Sequence, residues 1–413
     1  MINGAQSEIY RLIRNEGAIT FARFMDIALY CPDDGYYRYS NPVGPKGDFY
    51  TAPGAHPAFG ALLAIQIYQM WSLMGKPDPF WIIEVGAGSG LLCYDLLNYT
   101  EHLPKDFQKT LNYLCLDLRM NPGIEENLPL TSHRLVDRVV ANRLPLKPIE
   151  GCILSNELFD TFPVHRVQMQ NGELKEIYVT IEEGQFREYL DQPSTPELEK
   201  RLRKLDVELH EGNSAEINLG IENWIEEAVN ILDTGYMLSI DYGSQAAELY
   251  SQEKTRGTLT CFYKHSLNDD PYINIGRQDI TAQVDFTTLI QKGLELNCKP
   301  IGYVTQNLFL SNLGLRKFMS RIASMGLGQI QRDSNRMGML DLMRPGGLGD
   351  FKVLVQGKNA PGYPLWGVHG GKDLVSLADD LPIPLLSDIH MPLLEGRYPH
   401  LASGWRNYES YSP

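Results

Sequence analysis

The chain has 413 residues, 43% of them hydrophobic and 21% charged, which fits one large decorated globular domain or two domains. Its formal net charge of -14 argues against a nucleic-acid partner, because a phosphate backbone needs a basic face. Six cysteines stand scattered with no C-x-x-C pair, so neither a disulfide framework nor a structural zinc site is expected, and a reducing compartment is favoured. The first residues, MINGAQSEIYRLIRNEG, have neither the apolar core of a signal peptide nor the acid-poor, arginine-rich character of a transit peptide. The most apolar helical candidate, 60–74, contains Gln66 and Gln69 and is too short to span a bilayer. The expectation is a cytoplasmic protein with no membrane insertion, whose acidic surface attracts a basic or arginine-bearing substrate.

Residues 4–30 read as helical, with Ile9, Leu12, Ile13, Phe21, Phe24, Met25, Ala28 and Leu29 near helical spacing. The next stretch, CPDDGYYRYSNPVGPKGDFYTAPGAHPAFG at 31–60, is too aromatic for a disordered linker and reads as an ordered functional loop. A helix over 58–74 leads to WIIEVGAGSGLLCYDLL at 81–97, which reads as a buried strand, a glycine turn and a helix start. The glycines allow positive φ and leave room for a ligand against the backbone. The helix N-terminus beyond them offers free N–H groups and a positive dipole end. A dinucleotide site wants G-x-G-x-x-G, but here the third glycine comes one residue early, at Gly90. Glu84 instead gives E-x-G-x-G-x-G with Gly86, Gly88 and Gly90, which resembles motif I of S-adenosylmethionine-dependent methyltransferases. That cofactor has an ammonium, a sulfonium and a ribose, so a strand-end carboxylate has something to neutralise. A tight turn without a ligand would use the same glycines.

Residues 113–118, YLCLDL, form a second strand ending near Asp117, an acid placed to hydrogen-bond a ribose diol. It lies about thirty residues beyond Gly86, against the ~20 of the dinucleotide pattern. A third strand at 152–155 runs into Asn156-Glu157-Leu158-Phe159-Asp160, and another at 236–241 ends in Asp241-Tyr242-Gly243. Between these two, 164–169 and 173–181 alternate around Asn171-Gly172, the strongest short hairpin signal. Glu183-Gly184 offers a turn for a third antiparallel strand, and charged helical segments follow at 195–208 and 220–232. Residues 163–232 are therefore expected as an insertion. Late strands are expected at 299–305 and 351–357, and a Pro-, Gly- and Leu-rich extended tail from 359 to 413. The resulting division is an N-terminal helical region with a covering loop at 1–80, an α/β domain at 81–358, and the tail.

Seven strings taken together resemble one family: GDFYTAP (47–53), the EVGAGSG loop, SNELFDTFPVHR (155–166), IDYG (240–243), RGTL (256–259), DITAQVDF (279–286) and the FKVLVQG strand. They are similar to the MidA family, whose mitochondrial members act in respiratory complex I assembly as protein arginine methyltransferases. The resemblance implies an α/β fold with a class I methyltransferase-type, Rossmann-like sheet, a helical N-terminal region and an inserted antiparallel and helical subdomain. It implies S-adenosyl-L-methionine as cofactor and a protein substrate, a respiratory complex I-type subunit. Two positions depart from the family: Gly54 stands where Glu is common, and Asp117 replaces a more usual Glu.

Methyl transfer is an in-line displacement, so the acceptor must be held collinear with the S–CH₃ bond and kept dry. A guanidinium has a pKa above about 12 and is delocalised. A carboxylate bonding two of its nitrogens orients it and localises charge away from the third. Glu157 is the first candidate, because ligands of open α/β sheets sit at the carboxyl ends of strands. Asp160 shares its face if the segment turns helically, Asn156 is a neutral donor or acceptor, and Asp241 ends the next strand of the same crevice. The structural alternative has Asn156 and Asp160 capping a turn and Glu157 paired with a buried base. On the cofactor side stand Glu84, Gly86, Ala87, Gly88, Gly90 and Asp117, with Gly47, Asp48 and Phe49 as cover and Asp48 toward the ammonium. His165 and His265 are minor candidates, and no metal site is expected. Competing readings are an assembly factor that keeps the cofactor fold without catalysis, a methyltransferase of another acceptor, and an NAD-dependent oxidoreductase, which the early third glycine disfavours. The oligomeric state stays open, a homodimer included.

Overall fold

The computed structural model describes residues 4–39, 50–118, 135–141, 148–264, 266–362, 364–371 and 380–390. Its central sheet has seven strands: β1 Phe80–Val85, β2 Leu111–Asp117, β3 Leu135–Val140, β4 Ile149–Asn156, β5 Leu232–Asp241, β6 Lys299–Thr305 and β7 Lys352–Lys358. They lie in the order β6-β7-β5-β4-β1-β2-β3. The first five are parallel, and β7 runs antiparallel to both β5 and β6. Parallel strands covered on both faces read as continuous apolar runs, which is why β1, β2, β4 and β5 stand out in the sequence. The edge strand β3, LVDRVV, is exposed or half-buried along its length and gave no such signal. The strand order reverses between β1 and β4, and an open α/β sheet binds its ligand at such a reversal.

Helices cover both faces. On one, Ala58–Leu73 and Leu91–Thr100 pack Phe59, Leu63, Leu92 and Leu96 against Ile82, Tyr113 and Leu238 of the sheet. On the other, Gly220–Ile231 and Phe286–Glu295 pack Ile225, Val229 and Leu289 against Ile83, Ile153 and Met237. The expected insertion ran to 232, but this packing makes Gly220–Ile231 the crossover helix between β4 and β5. The inserted part ends before it. That part is an antiparallel sheet of His165–Gln170, Glu173–Glu182, Gln185–Asp191 and Ser214–Ile217. Its two hairpins turn at Asn171-Gly172 and Glu183-Gly184, all four residues having positive φ, as two-residue turns of this type demand.

The expected helix over 4–30 breaks in the middle. Gly17, at φ 86°, ends Gly4–Glu16, and Ile19–Thr20 pairs with the inserted sheet at Val179 and Tyr178. Thr20 then caps Phe21–Tyr30, accepting the Arg23 N–H at 3.2 Å. The N-terminal region and the insertion are thus one continuous layer. A small sheet absent from the sequence reading, Thr260–Tyr263, Ser266–Asn268 and Asp279–Thr281, backs this layer and brings Asp279 to it.

The described part of the tail docks through polar groups. Gln66 and Gln69, buried on an otherwise apolar helix, accept the backbone N–H of Gly367 (2.7 Å) and Trp366 (2.8 Å). Further on, His390 meets Asp95 of Leu91–Thr100 at 2.9 Å, both buried. Among the described residues no helix is long and apolar enough to cross a membrane.

Gly60 lets the two helices of the first face touch. A Cβ there would lie 2.6 Å from Asp95 Cβ and 3.0 Å from Leu96 N. Gly60→Ala is expected to part the helices and lower stability by about 1–3 kcal/mol, the usual range for overpacking. Denaturant unfolding checks this. An unchanged midpoint would show that the contact yields freely.

Candidate active site

A cavity of about 410 Å³ opens at the carboxyl ends of β1, β2 and β4. One wall is the turn after β1. Gly86, Gly88 and Gly90 have φ of 75°, 55° and 75°, left-handed values that a side chain would disfavour. Gly86 and Ala87 donate their N–H groups to Leu116 O of β2 at 2.9 and 3.2 Å. Gly88 N–H donates to Asp117 Oδ2 at 2.7 Å, and Gly88 O accepts from Arg138 of β3 at 3.1 Å. Asp117 also accepts the Leu118 N–H at 2.7 Å. The ends of β2 and β3 therefore fix the loop from one side. Glu84 is buried beneath it and accepts the Tyr113 hydroxyl at 2.7 Å.

The loop forms a cradle. A Cβ built on Gly88 meets nothing within 4 Å among the described residues. Gly86, Ala87, Gly88 and Ser89 line the open space together with Glu84 and Asp117. Backbone amides, a helix start and two strand-end carboxylates suit a ligand with a ribose and a positive charge, such as S-adenosylmethionine. Of the residues expected on this wall, Gly90 stands apart from the lining and opens the helix Leu91–Thr100 instead. Gly47, Asp48 and Phe49 lie outside the described residues, as does His265.

The other walls come from four parts of the chain. Asp26 and Tyr30 belong to Phe21–Tyr30, and Tyr37 to Tyr36–Tyr39. Thr51 and Pro53 precede the helix Ala58–Leu73, Asn156 ends β4 and Glu157, Leu158 and Thr161 to Pro163 follow it, and Trp224 and Glu227 lie on Gly220–Ile231. Among the described residues the lining carries five carboxylates, Asp26, Glu84, Asp117, Glu157 and Glu227, and no lysine, arginine or histidine.

Glu157 is half-buried at this wall, with an unusual φ of 53°, its N–H bonded to Ile240 O at 2.9 Å. Asn156 Nδ2 donates to its Oε1 at 2.9 Å. Burial pushes its carboxyl up to about 8, against the Asn156 hydrogen bond, with Asp241 raising it further and the Ala52 amide opposing. Among the described residues it forms no ion pair with a base.

Asp160 and Asp241 do not line the cavity. Asp241 is fully buried, and its Oδ2 accepts the N–H of Leu158 (3.1 Å) and Phe159 (2.8 Å) while Oδ1 accepts that of Tyr242 (2.8 Å). It anchors the turn rather than facing a substrate, and burial still pushes it up to about 7. Asp160 lies in the one-turn 3₁₀ helix Phe159–Thr161. Burial and the nearby Asp241, Asp279 and Glu157 raise it well above the carboxylate range. His165 pairs with Glu176 inside the inserted sheet, at 2.6 Å.

Sequence reasoning missed Tyr30, Tyr37, Trp224, Asp26 and Glu227 as cavity residues. The aromatic density of 31–60 pointed toward Tyr37, while Tyr30 and Trp224 lie in segments that read only as helical. It also missed Asp279, which accepts the Tyr37 hydroxyl on both oxygens at 2.9 Å and so ties the N-terminal helices to the site.

The family described as S-adenosyl-L-methionine-dependent methyltransferase matches residues 62–304. Among curated relatives, the Drosophila melanogaster protein named "Protein arginine methyltransferase NDUFAF7 homolog, mitochondrial" is 28% identical over 332 residues, 73% of this chain and 72% of that one. The Mus musculus "Protein arginine methyltransferase NDUFAF7, mitochondrial" is 29% identical over 333 residues, again 73% and 72%. A solved structure from Burkholderia thailandensis, bound to S-adenosyl-homocysteine, is 27% identical with a TM-score of 0.77, covering 88% of this chain and 93% of that chain. The matched stretch takes in the glycine loop, the acids that end β1 and β2, and the turn that carries Glu157, and the chain belongs to the MidA-like family of S-adenosyl-L-methionine-dependent methyltransferases.

Proposed function

We propose that this methyltransferase acts on arginine side chains of a protein, a respiratory complex I-type subunit, in the cytoplasmic compartment. The observation that carries the acceptor is the charge of the cavity. Glu84 and Asp117 are assigned to the cofactor wall, while Asp26, Glu157 and Glu227 come from other parts of the chain, with no basic side chain in the described lining. Such a wall favours a cationic acceptor, and an arginine acceptor agrees with the names the relatives carry. The described cysteines are all free, in keeping with a reducing compartment.

When bound, S-adenosyl-L-methionine supplies an electrophilic methyl group on a sulfonium. Glu84, Gly86, Ala87, Gly88 and Asp117 are the residues to hold it. Glu157 faces the acceptor. In the free protein near neutral pH its raised carboxyl keeps a proton, and an arriving guanidinium displaces it and pairs with the carboxylate. As the acceptor nitrogen gains its methyl group, one of its own protons becomes acidic. Glu157 takes that proton, and its raised proton affinity makes it a stronger base than an ordinary carboxylate. Asn156 keeps the carboxylate oriented through the Nδ2 hydrogen bond.

Asp117→Ala removes both the tie to Gly88 and the acid meant for the ribose. Calorimetric titration is expected to show cofactor affinity reduced roughly ten- to a hundred-fold, the equivalent of a charge-assisted hydrogen bond of about 1.5–3 kcal/mol. Unaltered affinity would take Asp117 out of cofactor binding.

Glu157→Gln keeps the shape and removes the charge. Cofactor affinity should hold, while single-turnover methylation of an arginine substrate falls by about 2–5 kcal/mol, roughly thirty-fold to several thousand-fold. Stability gives an independent readout. An unfolded Glu titrates near 4.5, the folded one at about 8. Between these values the unfolded chain has lost the proton and the native state keeps it. The group's stabilisation is therefore full below about pH 4.5 and is lost as pH rises through about 8. Glu157→Gln should flatten this fall in stability, although Asp241, pushed up to about 7, leaves a part of the same sign. A variant that stays fully active per folded molecule would end the catalytic assignment.

A further inference from the structure

Tyr30 and Tyr37 line the same cavity as the glycine loop, from two N-terminal helices that the chemistry of the family strings did not involve. Their rings stack, with centroids 5.7 Å apart and planes 20° apart. Both hydroxyls are committed to protein partners. Tyr30 donates to Thr161 O at 2.9 Å, with Thr161 Oγ1 at 3.0 Å, and Tyr37 donates to the Asp279 carboxylate. What the pair offers the cavity is therefore ring surface. Burial raises both hydroxyls further above their ordinary range, and Asp279 adds to this, so the rings are neutral at any working pH. Phe162 and Trp224 extend the aromatic lining.

A neutral ring attracts a cation to its face through its quadrupole. A guanidinium is planar and weakly hydrated, and it stacks on such a face. An ammonium is compact and strongly hydrated, so it loses more on leaving water. We propose that Tyr30 and Tyr37 determine acceptor specificity by receiving the flat cation of an arginine against their rings while Glu157 holds its edge, so that the site selects arginine over lysine. The inference rests on the arginine reading above and adds the residues that make the choice. The anchors set the orientation: Thr161 follows the same turn as Glu157, and Asp279 fixes Tyr37 from the neighbouring small sheet.

The test measures binding of acetyl-Gly-Arg-Gly amide and of its lysine counterpart by saturation-transfer NMR, with the protein saturated by S-adenosylhomocysteine. The wild type is expected to bind the arginine peptide more tightly, and equal binding of the two peptides would overturn the proposal without any variant. Tyr30→Leu and Tyr37→Leu are expected to weaken the arginine peptide roughly two- to thirty-fold and the lysine peptide less. Tyr30→Phe and Tyr37→Phe keep the ring and should bind within about twofold of wild type, although each melts lower for want of its hydroxyl anchor. Leucine variants that bind the arginine peptide as the wild type does would overturn this inference and leave the arginine reading standing. A wild type that binds neither peptide, and methylates neither when S-adenosylmethionine replaces S-adenosylhomocysteine, would bring down both. Weakened affinity for S-adenosylmethionine with unchanged affinity for S-adenosylhomocysteine would place the rings on the sulfonium and overturn the acceptor assignment.

Discussion

Asp241 collects three backbone amides on two buried oxygens, and the geometry of the site depends on that anchor. The chain leaving β4 has to turn sharply to keep Glu157 at the cavity. It does so with a non-glycine residue in the left-handed region, which costs about 1–2 kcal/mol and persists only where neighbours hold it. Two of the three amides on Asp241 belong to Leu158 and Phe159, the residues just after the strained position, and the Glu157 N–H itself is held by Ile240 of the same strand. A carboxylate with no base beside it is tolerated there because its lone pairs are filled by backbone donors. The same burial makes the region acidic and short of compensating charge, and a cationic ligand relieves that imbalance.

The acceptor side is assembled from parts far apart in sequence. The strand Ile19–Thr20 adds to the inserted sheet, Tyr30 reaches Thr161, and Tyr37 reaches Asp279. Each contact ties the N-terminal region to a segment between β4 and β6. The N-terminal helices and the insertion are therefore held together as one layer, from which Asp26, Tyr30 and Tyr37 reach the cavity. Their hydrogen bonds leave apolar ring surface toward the cavity, which helps keep water from the transfer.

The parts legible in the sequence are those under strong local constraint. Continuous apolar runs gave β1, β2, β4, β5 and β7, because strands buried on both faces admit little else. Asn171-Gly172 gave its hairpin because both positions need positive φ. The glycine loop was legible for the same reason, and Glu157 through the rule that ligands sit at strand ends. What stayed hidden depends on tertiary partners. An acid at a strand end looks the same whether it lines the cavity, as Asp117 does, or is fully buried under backbone amides, as Asp241 is. Tyr30 and Trp224 sit at helical spacings that also describe a core. The crossover helix Gly220–Ile231 read as insertion because its charged face resembles that of Glu197–Lys204, and only its packing under the sheet separates the two.

The tail bears on the same loop from behind. Leu91–Thr100 begins where the glycine loop ends, so the placement of this helix sets the placement of the loop. Asp117 and Arg138 hold Gly88 in front. At the back, Asp95 accepts from His390 Nε2, whose Nδ1 is turned to Ser387, and Gly60 brings Ala58–Leu73 against Asp95 and Leu96. Gln66 and Gln69 then bind the tail to that second helix. Buried polar groups placed on an apolar interface are destabilising unless each finds its partner. Here the partners come from a segment about 300 residues away in sequence. The tail is thus required by the helices it covers, and those helices position the glycine loop.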